Sequence, residues 1–231
     1  FNGGGEIEIV GGSDAQIRDN TLIEGEAIFL NDAGDDTVVS GNSIDKSGLY
    51  SIESTSCSYQ FIEGTFIGGG EIEVVGGSDA HIRDNSLIEG AAIFLNDAGD
   101  DTVVSGNSID NSGLYSIEST SCSDLVIEGN VITQADPGIA IQAVCLTGTI
   151  RDNIVDGADV GIQLIDRNSA SISGNVIDTD GVALEVHADV EPTLSGNELC
   201  GANAIMAVMR GAVPLDLTGN ELCEGVPLVF D

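Results

Sequence analysis

The acidic loop NDAGDD, which occurs at 31–36 and again at 96–101, offers the residues best suited to chemistry. In each copy, three aspartates surround a glycine that permits a tight turn, and several carboxylate oxygens on one turn are ligands that calcium prefers. The loop does not match the EF-hand pattern, and a solvated acidic turn is the simpler alternative. The sequence therefore predicts a candidate calcium site in each copy, formed by Asp32, Asp35, Asp36, Asp97, Asp100 and Asp101.

Five cysteines form a second set of reactive side chains. Cys122 and Cys145 are 23 residues apart, and so are Cys200 and Cys223. This interval is also the length of a structural unit described below, so the two members of each pair are expected to lie one above the other, at a Cα separation that a disulfide accepts. We predict two disulfides, with a column of buried thiols as the alternative, and a free thiol at Cys57. No Cys-x-x-Cys or Cys/His set indicates a zinc site.

The net charge of the chain limits the classes of molecule that can bind it. Asp and Glu total 39 against 6 Lys and Arg, for a formal net charge of −33. Nucleic acid and anionic membranes need a basic surface to neutralise phosphate, and no apolar run approaches the roughly 18 residues of a membrane span. We therefore expect a folded acidic protein with no nucleic-acid partner and no membrane insertion, whose surface suits high salt or divalent cations.

The elements that carry these residues are duplicated. Residues 1–65 recur as residues 66–130 with ten differences in 65 positions. A closed globule would need a second core to accept such a copy, whereas a solenoid simply lengthens. Residues 131–231 are more diverged, and we expect 1–231 to form one continuous stack. Because the chain begins with Phe1 inside a repeat, we interpret it as a piece of a longer protein.

A shorter period lies inside the duplication. Segments such as IRDN (17–20), VSGN (39–42) and IEGT (62–65) begin at intervals of 20–23 residues, so each 65-residue repeat contains three coils. An apolar residue opens each segment and another stands five positions later, and a further apolar–polar alternation follows a glycine in most coils. These patterns are typical of strands and not of helices. We predict about ten coils, each with about three short strands.

Asparagine stands three residues after the opening position in nine of the ten coils, Thr65 being the exception. At an inward bend, Asn tolerates the left-handed backbone region, and its amide both donates and accepts hydrogen bonds. At the roughly 4.8 Å spacing of paired strands, each amide can bond to the next coil, although an ordinary turn at each site is the alternative. The predicted ladder comprises Asn20, Asn42, Asn85, Asn107, Asn130, Asn153, Asn175, Asn197 and Asn220.

This pattern of an apolar opener, Gly-Asn and a second apolar position, followed by a Gly-led strand, resembles the repeat of the pectate-lyase-like superfamily. The resemblance covers essentially the whole chain. It implies an all-β fold, a single-stranded right-handed parallel β-helix of about ten coils of 20–23 residues. It says little about function, because the superfamily includes lyases, hydrolases, epimerases, adhesins and purely structural stacks.

The catalytic patterns that this resemblance suggests are missing. A lyase-like site needs an Arg or Lys base, but Arg18, Arg83 and Arg151 fall in one register three coils apart, some 14 Å from one another. A hydrolase-like site pairs Asp residues with a His and an Arg-x-Lys; His81 and His187 are in unrelated registers, and no Arg-x-Lys occurs. We therefore predict no catalytic residues.

The sequence as a whole favours a non-catalytic β-solenoid at the cell surface or outside the cell, serving as a stalk, adhesin repeat or filament unit. An intact duplication is typical of a protein whose role is to extend over a distance. The cysteine pairs suit an oxidising compartment. The alternative is a carbohydrate-binding or carbohydrate-processing β-helix, lyase-, hydrolase- or epimerase-like, with a groove along one sheet. Expected partners are further copies or flanking repeats stacked end to end, and glycans; calcium is the one cofactor indicated.

Overall fold

A computed structural model describes residues 6–24, 27–90, 92–144, 146–187, 190–208, 215–223 and 229–230. Within these ranges the chain forms strands and turns and no helix, so no segment there is a helix long and apolar enough to cross a membrane. The strands, in chain order, are β1 Ile7–Val10, β2 Gln16–Arg18, β3 Thr21–Ile23, β4 Ile28–Asn31, β5 Val38–Asp45, β6 Tyr50–Thr55, β7 Phe61–Ile67, β8 Glu71–Val75, β9 His81–Arg83, β10 Ser86–Ile88, β11 Ile93–Asn96, β12 Val103–Ser105, β13 Ser108–Asp110, β14 Tyr115–Thr120, β15 Leu125–Glu128, β16 Val131–Val144, β17 Gly148–Arg151, β18 Ile154–Ile165, β19 Ser171–Ser173, β20 Val176–Thr179, β21 Val182–Val186, β22 Thr193–Ser195, β23 Glu198–Gly201, β24 Ala204–Val208, β25 Glu221–Leu222 and β26 Val229–Phe230.

These strands stack into three parallel sheets that run along the axis of a coil. Sheet A contains β2, β9, β12, β15, β17, β19, β22 and the first halves of β5 and β7. Sheet B contains β3, β10, β13, β20, β23, β25, the second halves of β5 and β7 and the first parts of β16 and β18. Sheet C contains β1, β4, β6, β8, β11, β14, β21, β24, β26 and the ends of β16 and β18. The predicted all-β parallel solenoid is confirmed, with about nine turns in the described chain.

The core lies inside the coil and is filled by aliphatic side chains. Because successive strand residues point to opposite faces, every second residue of each sheet faces inward. The opening residues of the coils stack in register, for example Ile62 on Ile82 and Ile127 on Ile150, and all four are fully buried. Each coil thereby covers the apolar face of its neighbour, which is why the duplication lengthens the stack without a second core.

The asparagine ladder is confirmed. The Nδ2 of Asn85 donates to the Oδ1 of Asn107 at 2.8 Å, and the same bond joins Asn107 to Asn130. It continues through Asn153, Asn175 and Asn197 to Asn220, and a separate rung joins Asn20 to Asn42. Since buried amides cost free energy unless they are hydrogen-bonded, these bonds satisfy most of the asparagine side chains at the corner between sheets A and B.

The third coil departs from the predicted alignment. Thr65 pairs with Ser86 and Phe66 with Leu87, so Gly64 occupies the ladder register and Phe66, fully buried, replaces Ile67 in the core column. The difference lies in the backbone: Gly64 does not adopt the left-handed conformation, whereas Gly129 at the equivalent position of the second repeat turns there with φ +62°.

The structure joins Cys200 and Cys223 by a disulfide, with their Cα atoms 5.0 Å apart. Cys57 is a free, buried thiol that accepts a hydrogen bond from the Ala33 amide at 3.3 Å. Cys122 is also a buried thiol, and burial raises its pKa to about 11. Its expected partner Cys145 lies outside the described residues, so that pair stays a prediction.

Candidate functional site

One column of polar and aromatic side chains runs along the outer face of sheet C. Its nine members are register partners from one coil to the next, so neighbouring side chains leave the sheet about 4.8 Å apart. We call this set the C-face column. It comprises Glu8, Phe29, Glu53, Glu73, Phe94, Glu118, Gln142, Gln163 and Glu185.

The column lines two clefts that are copies of each other. The first, of about 320 Å³, is lined by Glu6, Glu8, Phe29, Glu53 and neighbouring residues. The second, of about 260 Å³, is lined by the residues 65 positions later, which are Glu71, Glu73, Phe94 and Glu118, together with Leu114 and Tyr115. Each cleft therefore has a phenylalanine ring flanked by carboxyl groups.

The two clefts meet at the boundary between the repeats, where four polar side chains converge. Glu53, at the end of the first repeat, is the register partner of Glu73, at the start of the second. On the same two strands, nearer their N-terminal ends, Tyr50 is the register partner of Glu71. We call these four residues the junction cluster. At the end of the second repeat the equivalent residues Tyr115 and Glu118 face Ile139 and Gln142, so the carboxyl pair is not reproduced there.

The surroundings of the junction cluster raise the pKa of two of its carboxyl groups, those of Glu71 and Glu73. Burial raises the pKa of Glu73, and repulsion from Glu53 and Glu71 raises it further, while a hydrogen-bonding interaction with Tyr50 opposes the rise. Burial also raises the pKa of Glu71, and the pKa of Tyr50 is raised by burial and by the three neighbouring carboxylates. In the second cleft, burial and Glu71 raise the pKa of Glu118. A carboxyl group that holds its proton beside one that is negatively charged can act as an acid towards a bound molecule.

Beyond the clefts the C-face column becomes a hydrogen-bonded chain. Gln142 donates to Gln163, and Gln163 donates to Glu185 at 2.8 Å. Glu185 in turn contacts the Nε2 of His187 at 2.7 Å. Both glutamines are buried to more than nine-tenths. This end of the outer face of sheet C is therefore less accessible to a bound molecule than the two clefts are.

The arginine column lies on a different face, the outer side of sheet A. Arg151 is held by Glu128, with its Nε 2.7 Å from the carboxylate. Arg83 instead lies over the ring of Phe61, 4.7 Å from its centroid, and Phe61 stacks on His81. None of these arginines lines either cleft of sheet C.

The two NDAGDD loops are turns on the surface. Their six aspartates are exposed, and Asp32, Asp36, Asp97 and Asp101 have left-handed backbone conformations. In the part of the chain that the structure describes, the one group of three metal-ligating residues whose ligand atoms lie within 4.8 Å of one another is elsewhere, at Glu198, Cys200 and Cys223. Calcium binding by the loops stays a prediction.

The junction cluster was absent from the sequence-based expectations, although a signal for it exists. Residues adjacent in sequence, such as Asp35 and Asp36, reveal acidic pairs directly, whereas the members of this cluster are far apart in sequence. The cluster appears only when the end of one repeat is laid beside the start of the next, which aligns YSIES (50–54) with EIEV (71–74).

Comparison with known proteins agrees with this architecture. The family described as "Right handed beta helix region" matches residues 5–177. The chain belongs to this family. The predicted right-handed coil is thereby confirmed, and the protein is a right-handed β-helix. Among curated proteins, none matches the sequence.

A solved structure with the same fold is the alginate lyase from Paenibacillus sp. str. FPU-7. It is similar to this β-helix with a TM-score of 0.54 and 16% sequence identity, over 91% of this chain and 97% of that chain. At this identity the similarity concerns the fold alone.

Proposed function

We propose that this β-helix processes carbohydrate, and that the junction cluster on sheet C is its reactive centre. The observation that carries the proposal is the register pairing of Glu53 with Glu73, because the pKa of Glu73 is raised and the pair lies between two clefts with aromatic walls. The likeness to an alginate lyase adds support for carbohydrate processing over the purely structural role that the sequence favoured.

The clefts suit a glycan that lies along the axis of the coil. Phe29 and Phe94 are three coils apart, about 14 Å at strand spacing, with Glu53 and Glu73 in the two coils between them. A phenyl ring offers a flat apolar surface on which the C–H face of a sugar ring packs. An oligosaccharide whose two end sugars pack on the two rings would place its central glycosidic bond over the carboxyl pair.

The chemistry that this pair supports best is glycoside hydrolysis. Glu73 donates its proton to the glycosidic oxygen, which departs as an alcohol, while the Glu53 carboxylate attacks the anomeric carbon and forms a glycosyl ester. Water, deprotonated by Glu73, then releases the sugar and regenerates both groups. Side chains that leave the sheet about 4.8 Å apart suit the roughly 5–5.5 Å carboxyl separation of retaining glycosidases, so retention of anomeric configuration is expected.

Charge favours an uncharged glycan. The face carries Glu8, Glu53, Glu71, Glu73 and Glu118, and its negative potential repels a polyanion such as alginate. An elimination reaction on uronates would also need a cationic group near the sugar carboxylate. Arginines do not line either cleft among the described residues.

The test is an incubation of the protein with neutral polysaccharides and, separately, with alginate. We expect new reducing ends from a neutral glycan and no unsaturated, ultraviolet-absorbing product. Replacing Glu73 by Gln should lower kcat about 10²–10⁴-fold, the usual contribution of a general acid, and Glu53→Gln should do so as well. Glu63→Gln, on the outer face of sheet A, is the matched control and should leave the rate unchanged.

Three results would count against the proposal. Equal rates for wild type and Glu73→Gln would remove the junction cluster from the chemistry. Unsaturated products from alginate would replace hydrolysis by elimination. Absence of both binding and turnover across the panel would return the protein to the structural role of a stalk or adhesin repeat.

A further inference from the structure

The pentapeptide GNELC occurs twice near the end of the described chain, at 196–200 and 219–223. The two copies lie in adjacent coils of sheet B, with Glu198 opposite Glu221 and Leu199 opposite Leu222. Because side chains alternate along a strand, glutamate and cysteine share the outer face while Leu199 is buried in the core. Two carboxyl groups and two sulfur atoms therefore form a square on the surface of the sheet.

Three of the four groups in this square are close enough to share one ion. One carboxylate oxygen of Glu198 and the Sγ atoms of Cys200 and Cys223 all lie within 4.8 Å of one another, and the two cysteines are half-buried. Asp178, the register partner of Cys200 in the preceding coil, adds a further negative charge beside them. At present the two sulfur atoms are joined to each other as a disulfide.

We propose that reduction of the Cys200–Cys223 disulfide turns this square into a binding site for a thiophilic divalent cation of the zinc class. A dithiol or phosphine reductant supplies two electrons, and two protons convert the sulfur atoms into thiols. The cation then binds both sulfurs as thiolates and displaces those two protons, with Glu198 as the third ligand. Two thiolates and a carboxylate are ligands that Zn²⁺ accepts in four-coordinate sites, and Glu221 or water completes the fourth position.

Charge and geometry favour cation binding at Cys200 and Cys223 over binding at Cys57 or Cys122. A chain of net charge −33 concentrates cations at its surface. Cys57 and Cys122 are buried inside the coil, where each contacts backbone groups. Cys200 and Cys223, by contrast, face outward beside carboxylates. In the oxidised chain the sulfur atoms are bonded to each other and cannot be thiolates, so the redox state controls the site.

The experiment compares the oxidised full chain with the chain reduced by a phosphine and then freed of reductant without oxygen. Both forms are titrated with Zn²⁺ and, for its ultraviolet thiolate charge-transfer band, with Cd²⁺. The reduced form should bind one ion per chain with release of two protons and gain thermal stability, since a ligand of the native state stabilises it. The oxidised form should show neither the band nor the stabilisation.

Two variants locate the ion. Cys200→Ser should abolish the band in the reduced chain, and Glu198→Gln, which removes a direct ligand, should weaken binding by at least the roughly 10–100-fold that loss of a group supporting a ligand costs at other metal sites. The matched control is Cys57→Ala, which removes a thiol elsewhere and should leave binding unchanged. Equal binding by oxidised and reduced chains, an unchanged band in Cys200→Ser, or no binding after reduction would each overturn the proposal.

Discussion

Gly64 lies one coil below Asn85 in the ladder register and leaves the side-chain oxygen of Asn85 without a donor. Elsewhere in the ladder this oxygen accepts two hydrogen bonds from the asparagine below, as Asn107 does from the backbone N–H and Nδ2 of Asn85. Glycine has no amide side chain, and the Oδ1 of Asn85 is buried with no partner. The two runs of the ladder are therefore separated at the third coil.

Closing this gap should stabilise the protein. The double variant Thr65→Asn, Phe66→Val copies Asn130 and Val131 of the second repeat into the first and should restore the corner. With two new hydrogen bonds to Asn85, each worth about 0.5–1.5 kcal/mol, we expect the free energy of unfolding to rise by roughly 1–3 kcal/mol. Chemical denaturation measures the change. The reverse variant Asn130→Thr should destabilise, and equal stability of all three proteins would contradict the explanation.

The free energy of unfolding should depend on pH because of the glutamates that line the second cleft. The pKa values of Glu71, Glu73 and Glu118 are raised, mainly by burial, so the native state holds these protons more tightly than the unfolded chain does. Their favourable contribution is fully present below the ordinary carboxyl pKa of 4.5 and is lost as the pH rises through the raised native values. Glu73→Gln should therefore melt higher than wild type at neutral pH.

The same comparison at lower pH provides the check. The difference in melting temperature between Glu73→Gln and wild type should shrink as the pH falls and Glu73 gains its proton. Glu63→Gln, for which no such burial applies, is the control on the outer face of sheet A. A difference that stayed constant across the titration would mean that the substitution acts through packing.

Salt should stabilise the chain, and calcium should reveal whether the NDAGDD loops are sites. With 39 acidic residues against 6 basic ones, carboxylates on neighbouring coils lie within the Debye length of about 10 Å at 0.1 M salt. We expect the melting temperature to rise with NaCl. A further rise with calcium, beyond an ionic-strength control, should disappear in the variant with Asp35, Asp36, Asp100 and Asp101 replaced by Asn; equal calcium stabilisation of both proteins would exclude the loops.

Arg83 and Arg151 should differ in how they pair with the glutamate of the preceding coil, which is Glu63 for Arg83 and Glu128 for Arg151. Arg83 is drawn onto Phe61, so we expect almost no energetic coupling between Arg83 and Glu63 in the wild type. The double variant Phe61→Val, His81→Gln introduces the residues found 65 positions away in the other repeat, Val126 and Gln16. It removes the aromatic stack and should allow Arg83 to pair with Glu63. A double-mutant cycle should then give about 0.2–1 kcal/mol, typical of exposed pairs. An unchanged coupling energy would show that the aromatic stack does not control the arginine.

The fold was predictable because its determinants are periodic. The opening apolar residues and the asparagines recur at one interval, and a stack of coils requires that recurrence. The register shift at Gly64 could not be predicted from the sequence. The segments EGT (63–65) and EGN (128–130) are nearly identical, and only the structure shows that Phe66 and not Ile67 fills the core position. The junction cluster was missed for another reason: Glu53 and Glu73 are 20 residues apart and belong to different copies, and only the coil register brings them together.

The carboxyl pair between Glu53 and Glu73 belongs to neither repeat alone, and this gives recombination an unusual role. A single unit has Glu8 at one end and Glu53 at the other, each without its partner; joining two units creates the pair without any point mutation. A tandem array would hold one pair fewer than its number of units. If the junction cluster acts as proposed, gene duplication in such a chain multiplies reactive centres as well as length, and loss of one of the two units removes the carboxyl pair while sparing the fold.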